Sequence, residues 1–168
     1  GMVLYTGMIS IHDTSQIRIS NVHLSNNSGY DDLLHIVYGK GIILENIKIT
    51  GAIGDSIDID LSEVAIENVV VEDSGNDALD LMTSNVSVRN SVFIGSGDKG
   101  ISAGEASRLF VTQALFKNNN IGIEAKDSTV TTVANSVFIR NVKHLNSYKK
   151  NWRYGGGGHI VANSSVFL

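Results

Sequence analysis

Apolar and polar residues alternate in short runs along this chain, and the runs return at a fixed interval. Each run leads to an asparagine: Asn21, Asn46, Asn68, Asn90 and Asn135, at spacings of 25, 22, 22 and 45 residues. Gln113 divides the long gap, 23 after Asn90 and 22 before Asn135. Two positions before the rungs stand Ile19, Leu44, Ile66, Val88, Val111 and Val133; three positions after them stand Leu24, Ile49, Val71, Phe93, Phe116 and Phe138. A repeat of roughly 20–50 residues means a stacked architecture. Period-2 alternation without a helical stripe makes its unit a coil of short strands.

Each coil divides into three strands. The first follows a turn marked by Asp or Gly, as in Asp55–Asp60, Asp77–Met82, Lys99–Gly104 and Ile121–Lys126. A second strand runs into the Asn rung and a third runs out of it. Clusters such as Ser25-Asn26-Asn27-Ser28-Gly29 and Glu72-Asp73-Ser74-Gly75-Asn76 are the connecting loops. Coils that pair as parallel strands place equivalent residues about 4.8 Å apart. Asn21, Asn46, Asn68, Asn90, Gln113 and Asn135 are therefore expected to form an internal ladder at a tight bend, each amide bonding its neighbours above and below. Asn also tolerates the left-handed backbone of such a bend.

At 168 residues the chain fits a single all-β domain, residues 1–168, with a substantial core. It has no proline, which suits strands paired on both sides. It has no cysteine, which removes disulfides and thiol chemistry. No run approaches 18 apolar residues, so membrane insertion is not expected. A net charge of −4 argues against nucleic acid as a partner. Gly1-Met2 reads as a tag remnant, no signal peptide is visible, and residues 1–8 show no amphipathic capping helix. Open strand edges at the ends of a stack need covering. The expectation is a domain cut from a longer protein, or an end covered by self-association.

The pattern resembles the single-stranded right-handed parallel β-helix of pectate lyases and bacterial parallel-β-helix repeat proteins, over roughly residues 9 to 168 and about six to seven coils. Asp98-Lys99-Gly100-Ile101-Ser102, Gly104-Glu105, Asn118–Ile123, Lys126-Asp127 and Tyr154–Gly157 are similar to β-helix modules of large bacterial surface proteins that carry a spore-coat-kinase-like domain. The resemblance implies a bacterial extracellular or cell-surface location, with polysaccharide or flanking domains as partners.

Candidate chemistry lies on the outward side of the first strand. One column reads His35, Asp58, Asp80, Ser102, Glu124, Asn146; the next reads Val37, Asp60, Met82, Gly104, Lys126, Tyr148. The turn before them carries Asp32, Asp55, Asp77 and Lys99. Asp55, Asp58, Asp60, Asp77 and Asp80 thus crowd on neighbouring coils, where like charges repel. A solvated acidic face with turn-capping aspartates is one reading. The other is a calcium site, since Ca²⁺ takes six to eight oxygen ligands. In pectate-lyase-like folds this face holds substrate and calcium, so the resemblance implies Lys99 or Lys126 as the base that removes a proton alpha to a uronate carboxylate. It also offers Asp58, Asp80, Glu105, Glu124, Tyr148 and Trp152 as substrate contacts. The family's catalytic arginine has no counterpart on this face, because Arg89 and Arg108 fall on the second strand. Asp31-Asp32 reads as a lone loop dipeptide. His12, His23, His35, His144 and His159 are scattered, without a short metal spacing.

Residues 143–158 break the rhythm as an irregular C-terminal insertion or cap, basic and aromatic, with Gly155–Gly158 allowing a tight bend and Asn163 as the last rung. Trp152 either covers the core end or belongs to a sugar- or partner-binding loop. Val70, Val92, Leu115 and Val137 form an apolar stripe two positions after the rungs, which is either a homo-oligomer interface or half buried by a local change of parity. Two functions remain open: a carbohydrate-facing module that binds an acidic or neutral polysaccharide, with lyase activity as its strongest form, and a non-catalytic scaffold that docks another domain or copy.

Overall fold

A computed structural model describes residues 7–27 and 29–168. In chain order the strands are β1 (Gly7–Ser15), β2 (Arg18–Ser25), β3 (Asp32–Lys40), β4 (Ile42–Thr50), β5 (Ile57–Asp60) and β6 (Glu63–Glu72). Then come β7 (Leu79–Met82), β8 (Asn85–Arg89), β9 (Val92–Ile94), β10 (Lys99–Gly104), β11 (Arg108–Thr112) and β12 (Leu115–Lys117). The last are β13 (Ile121–Lys126), β14 (Val130–Ala134), β15 (Val137–Ile139), β16 (Lys143–Tyr148), β17 (His159–Asn163) and β18 (Val166–Phe167). No helix occurs among the described residues.

Every pairing is parallel and joins one coil to the next. The first sheet runs β1-β3-β5-β7-β10-β13-β16. The second has 11 strands; in β2, β4 and β6 the chain bends around the Asn rung without breaking, and from β8 onward that bend splits it in two. The result is an all-β parallel solenoid of about six turns, with Phe93, Phe116, Phe138 and columns of Ile, Leu and Val filling the interior.

Three corners close each coil, and each is a column of left-handed residues. The first holds Tyr38 (φ 54°), Leu61 (49°), Thr83 (50°), Glu105 (53°) and Asp127 (51°). The second holds Asn21, Asn46, Asn68, Asn90, Gln113 and Asn135, with φ between 49° and 58°. The third holds Asn26, Gly51, Asp73, Gly95, Asn118 and Arg140. Asn, Asp and Gly accept this conformation at low cost. Thr83 and Leu61 do not, and stay there because the pairing on both sides holds them.

The asparagines occupy the predicted rungs but not the interior. All are exposed, since a left-handed residue at a convex corner turns its side chain outward. Asn46 Nδ2 donates to Asn21 Oδ1 at 3.2 Å and Asn68 Nδ2 to Asn46 Oδ1 at 2.7 Å, so a ladder exists, on the outside. The final rung is Ser164 (φ 47°), because Asn163 pairs with Ala134.

The internal polar ladders are made of hydroxyls and of a different set of asparagines. Ser62 Oγ accepts from the Gly39 N–H (2.8 Å), Ser84 Oγ from Ser62 (3.0 Å), Ser107 Oγ from Ser84 (3.0 Å) and Thr129 Oγ1 from Ser107 (3.2 Å). Beside the third corner, Asn119 Oδ1 accepts from Ser96 N–H and Asn141 Oδ1 from Asn119 N–H, each at 3.0 Å. Buried amides need such partners. Phe93, Phe116, Phe138 and Phe167 stack at 5.1, 4.7 and 4.9 Å between successive ring centres. Glycine is required on the first strand beside them: a Cβ at Gly100 would lie 2.6 Å from the Gly122 carbonyl oxygen and 2.9 Å from Phe116 Cδ1, and one at Gly122 2.5 Å from the His144 carbonyl oxygen and 2.9 Å from Phe138 Cδ1.

Val70, Val92, Leu115 and Val137 are half-buried. Trp152 is 81% exposed and so does not cover the core end. Within 143–158, residues 143–148 form β16 on β13, and 149–158 make the irregular loop. The expectation about residues 1–8 falls mostly outside the described residues.

The two ladders respond differently to substitution. Ser84→Ala leaves the Ser62 amide buried and unpaired and is expected to cost about 1–3 kcal/mol. Asn68→Ala is expected to cost about 1 kcal/mol for the left-handed backbone, while Asn68→Gly is nearly neutral. Denaturant unfolding of the three variants checks this; a glycine as costly as alanine would show that the amide bond, not the backbone, matters at the rung.

Candidate functional site

The outer face of the first sheet is assembled in the register expected from the sequence. His35 pairs with Asp58, Asp58 with Asp80, Asp80 with Ser102, Ser102 with Glu124 and Glu124 with Asn146. Asp60 pairs with Val37 and Met82, and Lys126 with Tyr148. Alternation in β5 and β7 buries Ile57, Ile59, Leu79 and Leu81 and turns the aspartates outward.

The acids then divide between roles. Asp55 Oδ1 accepts from the Asp77 N–H at 2.8 Å and from Asn76 Nδ2 at 2.9 Å; Asp77 Oδ1 accepts from the Lys99 N–H at 2.9 Å. These two carboxylates cap the turn of the following coil. Asp80 Oδ1 accepts from the Leu81 N–H at 3.0 Å. Of the five carboxylates expected to hold calcium, two therefore carry a turn amide on one oxygen. Asp58 and Asp60 turn instead toward His35, whose Nε2 stands 3.6 Å from Asp58 Oδ2 and 3.5 Å from Asp60 Oδ2.

Burial pushes Asp55 up to about 6 and Asp77 up to about 7. For Asp77 the Lys99 charge opposes this and the Asp80 charge adds to it. Asp58 rises to about 8, through burial first and then the charges of Asp60 and Asp32, with His35 easing the rise. The bond to Asp60 lifts the His35 imidazole above its ordinary value against the cost of burial, and Asp58 and Asp32 add their charge. Asp32 opens β3 and is 3% exposed, so it is no loop dipeptide.

Farther along, the face is a charge network. Lys99 Nζ bonds Asp98 and lies 3.5 Å from Asp77 and 3.9 Å from Glu124. Burial pulls its pKa down, but the Asp98 bond and the surrounding charges leave it raised. An ammonium held this way is a poor base. Lys126 Nζ donates to the buried Ser102 Oγ at 2.8 Å, passing over Gly104, where a Cβ would stand 3.4 Å from its Cε. Glu124, 4% exposed, accepts from Asn146 Nδ2 at 2.7 Å. Burial raises Glu105, and Lys126 opposes the rise. Tyr148 is raised by burial and by the Glu124 charge. The buried Asp127 Oδ1 accepts from the Lys150 and Asn151 N–H groups at 2.8 and 2.7 Å. It thereby anchors the loop bearing Trp152, whose ring faces the Arg153 guanidinium 5.7 Å away.

Sequence reasoning passed over His35 and Asp32 as site residues. The histidines were weighed by their spacing along the chain, whereas partners here lie one coil apart. The column arithmetic that found Asp58 places His35 directly beside it.

These groups give folding a pH dependence of one sign. Asp55 and Asp77 keep their protons in the folded chain where the unfolded chain, near the ordinary 3.8, has lost them. Their contribution is complete below that value and is lost as pH rises through about 6 and about 7. The melting midpoint is expected to fall between about pH 4 and 7, and Asp55→Asn with Asp77→Asn to flatten the slope. A midpoint that rises over this range would show both carboxylates ionised in the fold.

Residues 7–167 match the family described as the right handed beta helix region. By sequence, no curated protein matches the chain. Among solved structures it is similar to an alginate lyase from Paenibacillus sp. str. FPU-7, with 17% identity, a TM-score of 0.73, and coverage of 95% of this chain and 66% of that one. It is also similar to a pectate lyase from Paenibacillus sp. 0602 (8% identity, TM-score 0.68, 95% and 63%). A third is an endo-xylogalacturonan hydrolase from Aspergillus tubingensis (13% identity, TM-score 0.52, 96% and 61%). The chain thus spans just under two thirds of the length of these structures, and at such identities the likeness is one of fold. With nearly its whole length matched and every coil parallel, the chain belongs to the right-handed β-helix family.

Proposed function

We propose that this chain is a carbohydrate-facing module that binds an acidic or neutral polysaccharide along the outer face of the first sheet. The observation that carries the reading is the half-buried carboxylate column around Asp58 and Asp80, which costs the fold stability and serves no packing purpose. A face that repeats a polar column at every coil offers a linear polymer repeated contacts. Glu105 and Tyr148 extend the candidate contacts, whereas Glu124 is buried and bonded to Asn146; the loop anchored on Asp127 carries Trp152 and Arg153. Indole and phenol planes stack on sugar rings, while Arg153 and Lys150 suit uronate carboxylates. The similarity to alginate and pectate lyases supports this substrate class.

Lyase chemistry is the strongest form of the proposal. Lys99 is tied to carboxylates, which leaves Lys126 as the candidate base for the proton alpha to a uronate carboxylate. Elimination would then expel the glycosidic oxygen from the carbon beta to the carboxylate, that oxygen taking up a proton from solvent, and leave an unsaturated sugar end. Calcium on Asp58, Asp60 and Asp80 remains a proposal for neutralising that carboxylate. Affinity electrophoresis in alginate and polygalacturonate gels is the test of binding. Retention is expected to weaken about tenfold or more in Asp58→Asn with Asp80→Asn, and ultraviolet absorbance of unsaturated products to vanish in Lys126→Ala. Absence of retention in acidic and neutral glycans alike would remove the carbohydrate reading.

The half-buried stripe Val70, Val92, Leu115 and Val137 favours a second reading, a scaffold that docks a copy or a neighbouring domain; in register it continues to Val166, 48% exposed. Sedimentation is expected to show self-association that Val92→Asp abolishes. If parent and variant are both monomeric and equally stable, the stripe does not join copies.

A further inference from the structure

One group on the acidic face has the donor chemistry of a metal site. Asp32, His35 and Asp58 each present a ligand atom, and these atoms all lie within 4.8 Å of one another. Asp60 Oδ2 joins them, 3.5 Å from His35 Nε2, as Asp58 Oδ2 does at 3.6 Å. Both separations fit the edge of a coordination tetrahedron: ligands about 2.0–2.2 Å from a metal stand about 3.3–3.6 Å apart.

The donors sit on rigid elements. Asp32 and His35 belong to β3, Asp58 and Asp60 to β5, and the two strands pair with His35 opposite Asp58. Asp32 is 3% exposed, and the His35 side chain is 12% exposed. Site geometry is thus set before any ion arrives, and the low local dielectric strengthens its hold on a cation.

We propose that Asp32, His35, Asp58 and Asp60 bind a divalent first-row transition ion of the zinc class. The donor chemistry selects the ion. Calcium draws six to eight oxygen ligands and has no use for an imidazole. Imidazole with carboxylates suits zinc and its neighbours in the row. The assignment accounts for Asp58 and Asp60 flanking one another with Asp32 alongside, because a dication supplies the missing charge. It goes beyond the polysaccharide reading and does not depend on it, since the ion would bind with no glycan present; where it holds, it takes Asp58 and Asp60 from the calcium site proposed above.

The experiment uses metal alone. Chelator-stripped protein is dialysed against Zn²⁺ and Co²⁺, and the cobalt form is read by visible absorption. Stoichiometric uptake is expected, with ligand-field bands of a site containing nitrogen and with resistance to a large excess of Ca²⁺. His35→Gln should weaken uptake by about 100-fold or more and abolish the bands, while His23→Gln, on the second sheet, should leave both unchanged. Asp58→Asn removes a repelled charge and gives a second variant if His35→Gln does not fold. The proposal is overturned if no transition ion is taken up, if His35→Gln binds as the parent does, or if calcium displaces zinc on equal terms. Glycan retention measured on the same samples separates a failure here from a failure of the carbohydrate reading.

Discussion

Backbone hydrogen bonding from each coil to the next places every side chain about 4.8 Å from its equivalents above and below. That spacing decides which residues the chain tolerates. Stacked phenylalanines gain from it, and Phe93, Phe116, Phe138 and Phe167 form a continuous column. Stacked serines gain too, because each hydroxyl reaches the amide of the preceding coil. Stacked aspartates lose, unless something arrives to share their charge.

Asp58 and Asp80 on the first sheet are where the rule is broken. Elsewhere such charges are matched across coils: Glu45 stands opposite Glu67, but Arg18 pairs with Glu45 and Arg89 with Glu67, and Lys48 pairs with Glu72. On the acidic face only part of the charge is matched internally, by Lys99 and His35. A fold that otherwise satisfies its stacking so consistently keeps this mismatch for a reason outside its own stability.

The period, the strand columns and the registers were legible in the sequence because a solenoid turns sequence distance into spatial contact by one fixed step. From Asn21 the columns led directly to the pairing of Asp58 with Asp80. Three things were not legible. The rungs were placed inside, because amide ladders and left-handed corners share one sequence signature and only the turn of the side chain separates them. The hydroxyl ladder was missed although Ser62, Ser84, Ser107 and Thr129 recur at the same step, since lone serines in turns carry little local signal. His35 has no metal-type spacing along the chain, because that signature belongs to helices and its partners here lie one coil away.

The hydroxyl ladder also limits how this chain can change length. Each amide is satisfied by the coil that follows it, so removing or adding a complete coil hands the same donor to an equivalent acceptor. Losing a single residue inside a strand would instead shift one coil against its neighbours and unseat hydroxyl, phenylalanine and aspartate columns together. Growth and shrinkage of such a chain are therefore quantised in whole coils, and smaller insertions are confined to corners, as the 149–158 loop is.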